Sequence, residues 1–160
     1  MCPSSRLETA LKKKRSTKIT IAGSGAVLKA GCFDGMLSTI TDLEILGAAT
    51  IERNCLYENT SIKTLTLGSN ISTIAPGAFT DTKLTTINYN ISNLTYSAGS
   101  GPIFVSNTSD FSIVFGNNVT VIPNYLCSNC STLTSIKFPT GLTTIGNNAF
   151  YNCSSLFPIM

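Results

Sequence analysis

The chain has 160 residues, 42% apolar and 12% charged, with a net charge of +3 and neither histidine nor tryptophan. A charged fraction about half the ~25% of ordinary globular domains argues against long solvated helices, and without histidine there is no Ser-His or Cys-His nucleophile pair. Arg6, Lys12, Lys13, Lys14, Arg15 and Lys18 carry six of the eleven basic charges, and the rest of the chain, with five basic and seven acidic residues, is too near neutrality to favour nucleic acid.

Residues 4–15 come first. Ser5-Arg6-Leu7-Glu8 has capping-box spacing, Leu7 and Leu11 form one apolar stripe, and the lysine run sits where a helix dipole favours cations. The pattern predicts a short amphipathic helix within a basic cap spanning residues 1–17. Such an end covers the first unit of a stacked array, and its charges are read as solvated rather than as a nucleic-acid or lipid patch. A basic run before ITIAGSGAVLKAGC faintly suggests a signal segment with a lipid-acceptor Cys32. Gly23, Ser24, Gly25 and Lys29 interrupt that apolar stretch, so no convincing signal peptide is read here. No apolar run approaches the ~18–20 residues of a membrane span.

From residue 18 the chain repeats itself. Residues 133–155, LTSIKFPTGLTTIGNNAFYNCSS, place apolar side chains at Leu133, Ile136, Phe138, Leu142, Ile145, Ala149, Phe150 and Cys153. One repeat earlier the same slots hold Asp110, Ile113, Phe115, Val119, Ile122, Leu126, Cys127 and Cys130. Self-similarity of this period marks a stacked array. The slots of Ile136, Phe138, Ile145 and Phe150 recur as Ile19, Ile21, Leu28 and Phe33, then Leu43, Ile45, Ile51 and Leu56, then Leu65, Leu67, Ile74 and Phe79. The fourth repeat keeps Ile87, Tyr89 and Tyr96 and then loses the pattern, making an irregular unit at about 84–109. The fifth has Ile113, Phe115, Ile122 and Cys127.

Each repeat carries two short strand signals with alternating, often β-branched residues, separated by Gly or Pro. NNAFYNC is too short for an α-helix and is expected to make a 3₁₀ or single helical turn. Leu156 and Ile159 open a seventh repeat that stops at Met160. An array cut there exposes an unpaired edge. The expectation is a fragment, or an end covered by another body, with self-association through an uncapped C-terminal end as one outcome.

The motif L-x-x-I-x-F-P-x-x-L-x-x-I-G-x-x-A-F-x-x-C, read from Leu133, resembles the BspA-like leucine-rich repeats of bacterial and protozoal surface proteins. The resemblance covers about residues 18–160. It implies one mainly β domain with short helical turns, built as a right-handed leucine-rich-repeat solenoid of about six to seven 22–26-residue repeats. It further implies an extracellular or cell-surface location, adhesion or protein binding, and no catalysis or cofactor. The family has no universal ligand residues to carry over.

Six cysteines invite chemistry: Cys2, Cys32, Cys55, Cys127, Cys130 and Cys153. Cys127-Ser-Asn-Cys130 has redox or zinc spacing, yet no βαβ unit surrounds it and a fourth zinc ligand is missing. Cys127 fills the Phe150 slot and Cys130 the Cys153 slot, so both are read as core thiols. Cys32 and Cys55 share the Ala149 slot in consecutive repeats. The alignment predicts that this pair, like Cys130 and Cys153, is adjacent without being bonded. Asp42 and Glu44 flank Leu43, an i, i+2 spacing that would suit paired carboxylates or Ca²⁺. Their neighbours offer no cleft, and a solvated pair beside Lys18 is preferred.

The outward positions of the first strand form a polar strip: Lys18, Thr20, Asp42, Glu44, Thr64, Thr66, Thr86, Asn88, Ser112, Val114, Ser135 and Lys137. This strip, Val114 aside, is the candidate binding face, since solenoids bind along such surfaces. A second candidate is the irregular segment, where Tyr96, Ile103 and Phe104 would form an exposed binding loop; the competing reading makes Phe104 the missing core residue of its repeat. Eight N-x-[ST] triplets are what so Asn-, Ser- and Thr-rich a chain produces by chance. The functional expectation is a non-enzymatic scaffold for a protein or surface-glycan ligand, against a purely structural spacer block of a larger surface protein and, more remotely, a Cys-based metal or redox protein.

Overall fold

A computed structural model describes residues 16–34, 39–96 and 101–156. The helix expected within 4–15 lies outside them. Among the described residues there are strands and turns and no helix. The strands are β1 (Lys18–Ile21), β2 (Ala26–Leu28), β3 (Asp42–Ile45), β4 (Ala48–Ile51), β5 (Thr64–Leu67), β6 (Thr73–Ile74), β7 (Phe79–Thr80), β8 (Thr86–Tyr89), β9 (Thr95–Tyr96), β10 (Phe104–Val105), β11 (Phe111–Phe115), β12 (Val121–Ile122), β13 (Leu133–Lys137) and β14 (Thr144–Ile145).

These strands stack as a solenoid of about five turns. The first strand of every repeat joins one parallel sheet in the order β1-β3-β5-β8-β11-β13, and the second strands form a parallel sheet β2-β4-β6-β9 and a parallel pair β12-β14. The register follows the slot alignment. Ile19 pairs with Leu43, Leu43 with Leu65, Leu65 with Ile87, Ile87 with Ile113, and Ile113 with Ile136. On the second sheet Leu28 pairs with Ile51, Ile51 with Ile74, and Ile74 with Tyr96.

Alternation along each first strand turns one set of side chains inward and the other outward. Leu43, Ile45, Leu65, Leu67, Ile87 and Tyr89 are buried, as are Ile51 and Ile74 from the second sheet. No single repeat can enclose these groups. Stacking does so, at ~1.5–3 kcal/mol for each fully buried large side chain.

The turns differ from the expected helical ones. In the segment NNAFYNC, Asn148 and Asn152 both have φ 55°. A left-handed residue cannot continue a right-handed helix, so the segment forms turns instead. The feature recurs one repeat apart along the stack. Gly31, Asn54, Gly77, Tyr125 and Asn148 form one left-handed column, and Glu58, Asp81, Ser106, Asn129 and Asn152 a second.

The irregular repeat is absorbed without a break in the first sheet. Phe104 pairs with Phe79 and is buried. Asn107 closes the segment from within: its Oδ1 accepts from Thr82 Oγ1 at 3.0 Å and Leu84 N at 2.9 Å, and its Nδ2 donates to Leu84 O and Ser109 O. At the last described rung two slots are open. Phe138 is 40% and Ile145 50% exposed, whereas their predecessors Phe115 and Ile122 are buried, because no described strand follows β13 or β14 in the stack.

Candidate functional site

The first sheet holds the polar strip as two columns. Lys18, Asp42, Thr64, Thr86, Ser112 and Ser135 are paired in sequence from rung to rung, and so are Thr20, Glu44, Thr66, Asn88, Val114 and Lys137. At ~4.8 Å per rung the strip runs roughly 24 Å, with its columns ~6.6–7 Å apart. The inward residues between the two columns, Ile19, Leu43, Leu65, Ile87, Ile113 and Ile136, are all buried, so the outward groups are held by the backbone pairing.

Hydrogen bonds link the rungs on this face. Thr20 Oγ1 donates to Glu44 Oε2 at 2.9 Å, and Lys18 Nζ lies 2.7 Å from Glu44 Oε1. The Lys18 ammonium, followed by the Thr20 hydroxyl, holds the Glu44 carboxyl below its usual range. Asp42 Oδ2 accepts from Thr41 Oγ1 at 2.6 Å. Each of the two carboxylates is thus engaged by neighbours of its own. Further along, Asn88 Nδ2 donates to Thr66 Oγ1 at 3.2 Å. Ser135 and Lys137 are exposed at the last rung.

The second candidate loses two of its three residues. Ile103 and Phe104 are buried to 0% and 1% exposure, so neither is presented on a loop. The Phe104 ring stacks on Phe79 in the slot that its repeat would otherwise leave empty. Tyr96 contributes its backbone to β9, in register with Ile74.

Cys2 lies outside the described residues, and the other cysteines sit where the slots place them. Cys55, Cys127 and Cys130 are buried, and Cys32 and Cys153 half-buried. Cys130 Sγ donates to Phe104 O at 2.9 Å and Cys153 Sγ to Cys127 O at 3.1 Å. Burial pushes the Cys127 thiol well up, and Cys153 up to about 11. Thiols held in this way are poor nucleophiles. Among the described residues no group of three or more Cys, Asp, Glu or His is arranged to hold a metal ion. The Sγ atoms of Cys32 and Cys55 lie 3.8 Å apart across adjacent rungs.

One surface feature was not read from the sequence. A hollow of about 290 Å³ opens between the first two turns, lined by Phe33, Asp34, Tyr57, Glu58, Asn59 and Thr60 among others. A hydrogen bond to Glu58 raises the Tyr57 phenol above its ordinary range. The left-handed backbone at Glu58 (φ 53°) shapes this corner, and a glutamate carries no local signal for that conformation.

A family model described as a BspA type leucine rich repeat region matches residues 8–101 and 100–159, with six copies. No curated protein and no solved structure matches the chain.

Proposed function

The chain belongs to the BspA type leucine-rich-repeat family, and from that premise we propose that this repeat scaffold is a non-enzymatic binder of a protein or glycan at a cell surface. The binding face is the outward side of the six-stranded sheet. One observation carries the reading: two columns of hydroxyl, amide and charged groups, interrupted only by Val114, run in register over six rungs. Such a surface suits an extended ligand that meets the same spacing repeatedly, so that many modest contacts add up.

A second reading is a structural spacer. It is favoured by the absence of tyrosine, tryptophan or arginine from the face, since these residues dominate interface hot spots. An array of purified glycoproteins and free glycans, probed with the fluorescently labelled chain, separates the two. Saturable binding to a subset of the array supports the binder. Uniform background over the whole array supports the spacer.

A further inference from the structure

The contact between Cys32 and Cys55 joins two successive turns of the solenoid. Gly31 N donates to Asn54 O at 3.0 Å, which fixes the two backbones one rung apart immediately before the cysteines. A rung spacing of ~4.8 Å lies inside the ~4.4–6.8 Å Cα window of a disulfide. The sulfurs are 3.8 Å apart with no bond between them. A disulfide there requires the sulfurs to close from 3.8 Å to about 2.05 Å. The two thiols also differ in access: Cys55 is fully buried, whereas Cys32 is half-buried.

We propose that Cys32 and Cys55 are a modification site at which a low-molecular-weight disulfide of the glutathione class ties the first turn of the solenoid to the second. The half-buried partner reacts first. The Cys32 thiolate attacks the small disulfide, forming a mixed disulfide and releasing one small thiol. Cys55 then gives up its proton and attacks the Cys32 sulfur, expelling the second small thiol. Two protein thiols are oxidised and one small disulfide is reduced to two thiols, so atoms and electrons balance.

The other described cysteines are set apart by their surroundings. Cys127 is fully buried, Cys130 is nearly so and hydrogen-bonded to Phe104 O, and Cys153 is turned onto Cys127 O. Cys55 is as buried as Cys127, so what distinguishes the 32–55 pair is its sulfur–sulfur contact with a half-buried partner. The site fits a chain working outside the reducing interior of a cell.

Trypsin makes the test direct. Cleavage after Lys29, Arg53 and Lys63 puts Cys32 in peptide 30–53 and Cys55 in peptide 54–63, apart from Cys2, from Cys127 with Cys130, and from Cys153. The whole reduced chain is incubated with oxidised glutathione, alkylated, digested without reductant and weighed by mass spectrometry. The expected product is 30–53 joined to 54–63, two hydrogens lighter than the separate peptides and released by reductant. Cys55→Ala, which copies the Ala78 and Ala149 of the same column, is expected to stop at a glutathione adduct on Cys32. The proposal is overturned if wild type keeps glutathione on Cys32, if either cysteine links preferentially to Cys2, Cys127, Cys130 or Cys153, or if both are still fully alkylated when a short dithiol peptide in the same tube has been oxidised.

Discussion

The ring of Phe104 lies over that of Phe79, with centroids 5.4 Å apart and planes inclined by 22°. Their backbones pair in parallel, although the repeat between them departs from the common pattern. Phe104 is thus the residue through which the irregular unit rejoins the stack. Phe104→Ala is expected to destabilise the chain by about 3–5 kcal/mol, read as a lower midpoint of urea unfolding. Phe150, only half-buried, is expected to cost clearly less when truncated.

The left-handed columns give a prediction of opposite signs. Tyr125, at φ 57°, stands in a column otherwise made of Gly31, Asn54, Gly77 and Asn148. A left-handed conformation costs a side-chain-bearing residue about 1–2 kcal/mol, and asparagine tolerates it best. Loss of the half-buried ring offsets part of the relief, so Tyr125→Asn is expected to stabilise by up to ~1 kcal/mol. Gly77→Ala is expected to destabilise, since it places a Cβ at φ 70° and 3.0 Å from Thr80 Oγ1. Thermal unfolding of the two variants checks both signs.

Asn107 is the polar pin of the irregular repeat. Asn107→Leu removes its four hydrogen bonds and leaves Leu84 N and O without them inside the protein. The expected loss is about 2–4 kcal/mol. Amide exchange should quicken first around Leu84 and Ser109, because energetics in stacked arrays are largely nearest-neighbour.

Glu44 gives a small acid dependence. Its folded carboxyl is held below its usual range by Lys18 and Thr20. The stability it contributes is present above the unfolded pKa of ~4.3 and is lost as the pH falls through the lower folded value. The pair is exposed, 53% at Lys18 and 25% at Glu44, so the effect is only a few tenths of a kcal/mol. Unfolding of Glu44→Gln compared with wild type at neutral pH and below pH 4 should show the difference shrinking in acid.

Much of this fold was legible because one slot pattern serves every turn. A run such as Leu65-Thr66-Leu67 names both its core side chains and its outward group, and the pairing of Leu65 with Leu43 and Ile87 follows from alignment alone. The turns were less legible. Glu58, Tyr125 and Ser106 adopt left-handed backbones that their residue types disfavour, imposed by the stacked turns on either side. The candidate site was legible as a face, since alternation fixes which residues point outward. Two readings of the irregular segment stood open, and the pairing and burial of Phe104 against Phe79 favour the one that makes it the core residue of its repeat.

In the proposed function, ligand meets the outward columns of the first sheet. The direct measurement is a titration of the strongest array hit against three proteins: wild type, a Thr64→Arg/Thr66→Arg/Asn88→Arg chain that blocks the middle of those columns, and a Val121→Arg/Thr144→Arg chain altered at exposed positions of the second-strand side. The first variant is expected to weaken binding by about tenfold or more, equivalent to ~1.4 kcal/mol, while the second binds like wild type. Undiminished binding by the first variant, or equal loss in both, would contradict it.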